Sequence, residues 1–600
     1  MKRFKKAVSM MLTGAMIFSL AACGGGSGSD SADTGGEGSA ASSEAVEQAA
    51  NDTSAVTGEA VYGGTLNMTM QTLDLDTDPS CSQSYKWQLW FERLFQIDLT
   101  LGAGEYQDET TKSSRLTGMI ADSWEWDSDA KTFTVKIKDE ACFQDKAAAG
   151  MEDYDIFGGR TVTAEDVEYS YDRLLGIGMC DEAVECDENW QSSLYMVESI
   201  ETTDDKTVVF HFNSSADMAA SDFMLCNVNI TGPEWDELTS DQKADWHYAC
   251  GTGAYILTDF QIDSYATLSK SSNYYGVDTR EGYEGNALPY LDTITMSLIA
   301  ENANQITQFV AGNQDIIGWN RAYLTDSETS VITDSLTSDD YTEYIYLGQP
   351  SAICYKISAN EALQDVRVRQ AMQMAINMDE INDSYYGYDT EAQIGGLFSV
   401  TTDYSSAGTW DDELLSTWTY DPEGAKALLE EAGYGDGFEF DVAIHSGLDS
   451  DLYTLIKDYL GAIGIDMVIT VTSDPNEMNN LGTDESDPNS IEGAWGMGST
   501  FFTTIMWKVG GPGYTSFNGD STVDDYFDKL DEAQSEEEEA EVAQEFDKYM
   551  AQQHYALVIS PYTHIPVYVS TKIGGLDSTY FYSNMNMGTL LNHCWDTTAQ

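Results

Sequence analysis

An α/β fold built in more than one lobe is what this sequence predicts, and three observations predict it. Through the first half of the chain, apolar and polar residues alternate at the period of half-buried strands. Beyond about residue 365 the pattern changes to amphipathic helices followed by short apolar strands, the alternation of an α/β unit. The folded part, from about Val61 onward, is roughly 540 residues, more than one core serves, so two or three lobes are expected. The composition, 42% hydrophobic and 12% aromatic, suits a folded body.

The N-terminus does not belong to that body. Lys2-Arg3-Phe4-Lys5-Lys6 precedes an apolar run from Ala7 to Leu20, and Leu20-Ala21-Ala22-Cys23 follows. A basic start, a short apolar core and small residues at the end describe a secretory signal peptide over 1–22. The run, about 14 residues, is shorter than the roughly 20 that span a bilayer. Leu20–Cys23 resembles a bacterial lipoprotein box, which implies lipidation at Cys23 and a membrane-anchored, extracytoplasmic protein. From Gly24 to Ala60 there is no aromatic residue, only a run rich in Gly, Ser, Ala, Asp, Glu and Thr. Such a segment cannot bury enough apolar surface to offset its ordering entropy, so 23–60 is expected to be a lipidated cysteine and a disordered tether. At about 5–6 Å × √n it spans roughly 30–37 Å.

The elements of the body follow in order. Phe133, Val135 and Ile137 alternate with Thr132, Thr134 and Lys136, and a turn at 127–130 makes a hairpin with Trp124–Trp126. Thr163 and Asp166 occupy capping-box positions before a helix whose face carries Val167, Tyr171 and Leu174. Val208, Phe210 and Phe212 repeat the strand pattern. Val368, Met372, Ala375 and Ile376 make a helical stripe. Asp421 as N-cap, Pro422 in the first turn and Gly433 as a stop bracket the next helix. Leu452, Leu455, Ile456 and Tyr459 form another, with a strand over 466–471. Val523 to Leu530 and Val542 to Met550 mark two late helices, and 556–570 reads as strand returning to the first lobe.

Net charge is −74, from 102 acidic and 28 basic side chains. That field excludes nucleic acid as a partner, because phosphate binding needs a basic footprint. Nine cysteines occur. With Cys23 lipidated, eight remain; Cys180 with Cys186 and Cys226 with Cys250 are near pairs, and buried thiols are the equal alternative. There is no G-x-S-x-G, H-E-x-x-H or P-loop signature. Asp74-x-Asp76-x-Asp78 begins like a calcium loop, but Pro79 stands where glycine is needed and Tyr85 where glutamate is needed. The six histidines have no ligand spacing. The chain is therefore read as a non-enzyme with no cofactor and no metal.

Seven segments, in order, resemble the bacterial ABC-transporter solute-binding protein family 5, the oligopeptide, dipeptide and nickel group. They are Gly63–Asn67, Ala121–Glu125 with Lys131–Val135, Thr163-Ala164-Glu165-Asp166-Val167, Gly251-Thr252-Gly253-Ala254-Tyr255, Asn273-Tyr274-Tyr275-Gly276, Asp365-Val366-Arg367-Val368-Arg369-Gln370-Ala371, and Tyr420-Asp421-Pro422-Glu423 through Glu431-Ala432-Gly433-Tyr434. The resemblance implies a two-lobed periplasmic-binding-protein-like clamp (type II, cluster C-like) with a third, smaller domain inserted in lobe one. Mapped here, lobe one is 61–102, 196–318 and 567–600, the inserted domain 103–195, and lobe two 319–566. It implies a monomer that captures a small peptide between the lobes and delivers it to an ABC permease and its ATPase subunits. The same fold binding a nickel chelate, opine or oligosaccharide is the alternative, and a surface-anchored hydrolase is the alternative of a different class.

One stretch departs from the family. Peptide binders often carry an acid a few positions after a Gly-Trp in lobe two, and Gly493-Ala494-Trp495-Gly496-Met497-Gly498-Ser499-Thr500-Phe501-Phe502 has none. The candidate ligand-binding residues are Tyr85, Trp87, Glu301 and Asn302 from lobe one, with Trp495, Met497, Phe501 and Tyr514 from lobe two. Arg367 and Arg369 are expected to pin their helix to a neighbour.

Overall fold

The computed structural model describes most residues from 58 to 599. Outside the description lie 1–57, 71–72, 74–76, 81–88, 98–115, 185–196, 214–227, 319–323, 388–391, 399–403, 446–449, 473–480, 482–486, 496–506, 508–518, 577–590 and a few single positions. Cys23 and the tether up to residue 57 fall among these.

Strands β1 (Thr65–Met70), β2 (Phe95–Ile97), β3 (Leu116–Gly118), β4 (Ala121–Asp127), β5 (Thr132–Ile137), β6 (Val197–Asp204) and β7 (Thr207–Phe212) come first, with helix α1 (Ala164–Leu175) before β6. Then come β8 (Tyr255–Gln261), β9 (Tyr265–Lys270), β10 (Thr293–Leu298), helix α2 (Asn302–Val310), β11 (Ile316–Ile317), helix α3 (Asp326–Ser335), β12 (Tyr341–Gly348) and β13 (Ser351–Cys354). The last third holds helices α4 (Val366–Met374) and α5 (Pro422–Ala432), β14 (Phe438–His445), α6 (Ser450–Ala462), β15 (Ile465–Thr472) and β16 (Ser490–Ala494). Helices α7 (Ser521–Glu532) and α8 (Glu536–Gln553) precede β17 (Ala556–Val558) and β18 (Thr563–Ser570).

Three sheets organise the body. A seven-stranded sheet runs β12-β18-β11-β1-β10-β9-β8, a five-stranded sheet β15-β14-β16-β13-β17, and a four-stranded sheet β4-β5-β7-β6. Each has its own apolar core. The two-lobed α/β architecture with a smaller third unit follows from this division.

The sequence features act as expected where local chemistry decides. Thr163 and Asp166 complete a reciprocal capping box at α1, which satisfies orphan amides at the helix start. Asp421 caps α5 by accepting from Gly424 N at 2.9 Å, and Gly433 closes the helix at φ 90°. Phe133, Val135 and Ile137 are buried in β5, opposite Phe210 and Val208 of β7. Gly251 and Gly253 let two chains touch. A Cβ on Gly251 would lie 2.2 Å from the Trp90 carbonyl oxygen, and one on Gly253 2.6 Å from that of Leu89. Tyr274 and Tyr275 each donate at 2.7 Å to one carboxylate, Glu92. Burial pushes the Glu92 carboxyl up, against the pull of those hydrogen bonds. Arg367 donates to the Glu431 carbonyl at the end of α5, and Arg369 to that of Gln553 at the end of α8. Both hold α4 to the C-terminal ends of neighbouring helices.

Two expected boundaries move. The break at 195/196 does not separate sheets. Strands β6 and β7 pair with each other, and β7 with β5, so 197–212 belongs with the smaller unit. The break at 318/319 moves to about residue 350. Strand β12 pairs with β18 along all eight residues, inside the seven-stranded sheet. Ile306, Phe309, Ile332 and Tyr568 share a core, so α2 and α3 cover that sheet. In both cases strand pairing, which spans long sequence gaps, moves a boundary that the family resemblance implied.

Cys142, Cys250, Cys354 and Cys594 are free thiols, which removes the pairing of Cys250 with Cys226. Burial pushes the Cys250, Cys354 and Cys594 thiols up to about 12. Among the described residues no helix is long and apolar enough to cross a membrane, and no group of three or more His, Cys, Asp or Glu is placed to hold a metal ion.

Candidate functional site: a crevice at the carboxyl ends of two sheets

Strand directions locate the site. β1 runs parallel to β10 and to β11. β18 is antiparallel to both β11 and β12, so β12 runs with β1, β10 and β11. The chain leaves β12 at Gly348 and enters β13 of the other sheet at Ser351. The carboxyl ends of β1, β10 and β11 therefore point toward the five-stranded sheet. β13 runs away from this crossing, and its antiparallel partner β16 runs toward it. β14 is parallel to β16 and to β15, so all three end at the crossing. Carboxyl ends of both sheets thus face one crevice, where open α/β sheets bind ligands.

The crevice has depth. Ile316 pairs with Val569, while the pair nearest the crossing is Gly348 with Thr563, six residues further along β18. β1 ends only two residues past Met68, which pairs with Ile316. At about 3.3 Å per residue, the crossing stands roughly 13 Å beyond the ends of β1 and β10.

Among the described residues two chains make the crossing: the one that leaves β12 at Gly348 for Ser351, and the return from β17 to β18. Pro350 lies in the first and Pro561 in the second. Proline lacks the N–H that would continue a ladder, so both chains break their sheets here. The chain has only 10 prolines, so two in otherwise strand-forming surroundings were a readable signal that the periodicity argument passed over.

On the seven-stranded side, Gln305 of α2 accepts from Thr69 Oγ1 at 2.9 Å and donates to the Ile299 carbonyl at 2.7 Å. That ties the helix to the ends of β1 and β10. Glu301 is exposed and precedes α2 as its N-cap without a side-chain capping bond. Asn302 is half-buried, with Nδ2 3.4 Å from Glu328 Oε2. Both lie at the crevice-facing end of the sheet. On the other side, His445 N donates to Glu492 Oε2 at 2.6 Å, fastening the end of β14 to β16. Sequence reasoning missed Glu492, because β16 is too short to carry a period. Tyr85, Trp87, Met497, Phe501 and Tyr514 lie outside the described residues.

Trp495 is corrected. Its side chain is wholly buried, and its indole N–H donates to the Gly395 carbonyl at 3.3 Å. The ring packs edge-on against Trp507 at 5.4 Å and beside Trp418 at 6.2 Å. It is a core residue directly behind the crevice wall, held there by apolar contacts and a paired indole N–H.

The aromatic column continues to His554, stacked on Trp418 at 4.6 Å. Thr417 Oγ1 donates to the Leu414 carbonyl, so it accepts from His554 Nε2 at 2.9 Å. Burial, reinforced by the charge of Arg369, pulls the His554 pKa down to about 3. The unfolded chain then takes up the proton first, so this residue's stabilisation is complete above pH 6.5 and is lost as pH falls toward 3. Asp547, on α8, has the opposite sign. Burial pushes it up to about 6, although Phe398 N, Ser406 N and Ser406 Oγ donate to it at 2.6–2.7 Å. His554 sits at φ 48°, which asparagine tolerates. The expected result for His554→Asn is a shallower loss of melting temperature between pH 6.5 and 4 than the unsubstituted protein shows, measured by a thermal melt at each pH.

Comparison with known proteins agrees with this geometry. The sequence profile of the bacterial extracellular solute-binding proteins, family 5 (middle), matches residues 115–517. The glutathione-binding protein GsiB of Pectobacterium atrosepticum is 26% identical over 332 residues, 54% of this chain and 55% of that protein. The dipeptide-binding protein of Escherichia coli is 23% identical over 350 residues, 54% of this chain and 56% of that one. The chain thus spans about half the length of the curated relatives it matches. Among solved structures, the periplasmic binding protein DppA from Helicobacter pylori, in complex with the peptide STSA, superposes with a TM-score of 0.71 at 17% identity, covering 89% of this chain and 98% of that one. The binding protein AgaA from A. tumefaciens, in complex with agropinic acid, gives 0.68 at 18% identity, covering 90% and 99%. These superpositions establish the fold, and the profile match covers well over half of the sequence: the chain belongs to the bacterial extracellular solute-binding proteins, family 5.

Proposed function

We propose that this protein is the extracytoplasmic substrate-binding component of an ABC importer that captures short peptides between its two lobes. The observation that carries the reading is the crevice itself, with carboxyl strand ends of two sheets facing each other where, among the described residues, two chains cross. Such a joint lets the lobes close around a ligand, and a ligand that contacts both lobes stabilises the closed form. The peptide assignment is supported by the dipeptide-binding relative and by the peptide-bound structural neighbour. An extended peptide satisfies its backbone groups by pairing with strand edges, largely independent of side chain.

Lipidation at Cys23 would hold the body at the membrane, where a permease with its ATPase subunits receives the ligand from the monomer. The Gly58 carbonyl accepts from Tyr283 Oη, and Gly63 N donates to the Tyr290 carbonyl. This is the amino end of β1, the end of lobe one away from the crevice.

The test is incubation with a defined peptide library followed by desalting and mass analysis. Intact peptides of a few residues are expected to stay bound. Turnover of the library into fragments would make the protein a hydrolase instead, and retention of an opine or a sugar in preference to any peptide would replace the ligand class.

A further inference from the structure

The smaller unit is seated on lobe one around a buried carboxyl. The chain passes from one to the other between Phe91 and Leu94. Leu89, Trp90 and Phe91 lie in the lobe-one core, Leu94 and Phe95 in the core of the smaller unit. Glu92 stands between them, 2% exposed. It is held from both sides. Tyr274 packs on the lobe-one core and donates to Glu92 Oε1 at 2.7 Å. Tyr275, next in the chain, packs on the core of the smaller unit and donates to Glu92 Oε2 at 2.7 Å. One carboxyl thus joins two cores, with one oxygen to each.

Among the described residues no cation is bonded to it. The Lys138 charge is the smallest influence on Glu92, and Lys138 Nζ donates instead to the Gly118 and Met119 carbonyls at 2.7 and 2.8 Å. The Cys142 thiol is near enough to feel the Glu92 charge, and burial pushes its own pKa up. Arg93, next along the chain, is buried too. Thr252 Oγ1 is buried beside the carboxyl and makes no hydrogen bond of good geometry. The rest of the seat is donors on carbonyls. Gln144 Nε2 donates to the Gly253 and Tyr255 carbonyls at 3.0 and 2.6 Å, Asn273 Nδ2 to that of Phe143 at 2.8 Å, and Lys146 Nζ to that of Ala249 at 2.8 Å. None of these bonds needs Glu92 to be charged.

We infer that Glu92 is a proton-dependent pin: with its proton the smaller unit is seated on lobe one, and ionisation works the seat loose. A protonated carboxyl still accepts from both tyrosines and has a hydrogen to give Thr252 Oγ1. An ionised one keeps the tyrosines but buries a charge for which their hydroxyls replace water only in part, with no cation in contact. Opening the joint lets water reach it. In the seated form Glu92 titrates above its ordinary 4.5. Its stabilisation is therefore complete below 4.5 and is lost as pH rises through the raised value. The pin acts whatever ligand the crevice takes.

The experiment is hydrogen–deuterium exchange of the full mature chain, read by mass spectrometry at a series of pH values between 5 and 8. The amides of Ile230 and Gly253 report the seat, because they donate to the carbonyls of Glu92 and Trp90 at 2.9 and 3.0 Å. Glu92→Gln carries no charge at any pH and keeps both tyrosines, one on Oε1 and one on Nε2. The exchange rate of the unsubstituted protein, divided by that of Glu92→Gln, is expected to climb with pH, by up to about tenfold per unit until Glu92 is fully ionised. Lys138, Arg93, Lys146 and Cys142 are present in both proteins, so their own titration divides out. Strand β14 of the five-stranded sheet is the internal reference, where the ratio is expected to stay constant. Tyr275→Phe is the second variant and decides if Glu92→Gln fails to fold. It removes a donor that favours the charged form, so its exchange at the same two amides is expected to exceed that of the unsubstituted protein by a factor that grows with pH. A ratio at Ile230 and Gly253 that stays flat with pH would overturn the inference, and so would one that climbs equally in β14, because the opening would then be global.

Discussion

Arg280→Ala is expected to cost about 3–5 kcal/mol, the loss typical of removing one partner from a buried ion pair. The Arg280 guanidinium donates to Asp278 Oδ2 at 2.8 Å, to the Gly575 carbonyl at 2.6 Å and to the His593 carbonyl at 2.9 Å. Tyr290 Oη donates to the same Asp278 oxygen at 2.8 Å. Side-chain exposure is 6% for Arg280 and 0% for Asp278, so removal of the guanidinium leaves a buried carboxylate whose remaining charge partner is His593, 3.9 Å away. Burial pushes the Asp278 carboxyl up, but the Arg280 hydrogen bonds outweigh it and hold the group below the usual range. The pair therefore contributes fully above the ordinary carboxylate range and weakens only as pH falls through the depressed value. These bonds fasten the C-terminal segment to lobe one, so limited proteolysis is expected to release the chain beyond about Leu576 in the variant. Arg367→Ala is the control. Its pair with Asp365 and its bond to the Glu431 carbonyl are both exposed, and the loss is expected to stay under about 1 kcal/mol. A variant of Arg280 as stable as that control would show that the C-terminal segment is held by its apolar contacts alone.

Cys23→Ala is expected to have the largest effect on function. The protein is expected in the medium rather than with the membrane fraction, binding its ligand with unchanged affinity while supporting no uptake. Two acyl chains on one cysteine hold a body at a membrane without any apolar protein face, each buried CH₂ contributing about 0.8 kcal/mol. Membrane fractionation and uptake of labelled ligand measure it together. Retention at the membrane without Cys23 would assign the anchor to another contact.

What the sequence made legible follows a physical rule. Elements defined by local chemistry were read correctly: the capping box at Thr163 and Asp166, the Asp421-Pro422 start and Gly433 stop of α5, the alternation of β5 and β7. Elements defined by partners far along the chain were not. The run 556–570 reads as one strand, yet it divides at Pro561 between two sheets, and β12, which the resemblance places in lobe two, pairs along its whole length with β18. Neither assignment exists until a second chain is present.

The candidate site shows the same division. Glu301 and Asn302 fall at the crevice edge because they follow β10 directly. Trp495 was chosen for its aromatic character, and that same character buries it in the lobe-two core. Ser351 and Ser560 carry no signal of their own. A serine pair 209 residues apart becomes hydrogen-bonded only when β13 and β17 are side by side.

Native mass spectrometry of the protein as purified tests the clamp most directly. A peptide of a few residues is expected to remain bound at one per protein, to be lost on denaturation, and to return at the same ratio when the refolded protein meets the same extract. A protein that carries no adduct before or after that exposure, under conditions that preserve its fold, would contradict capture between the lobes.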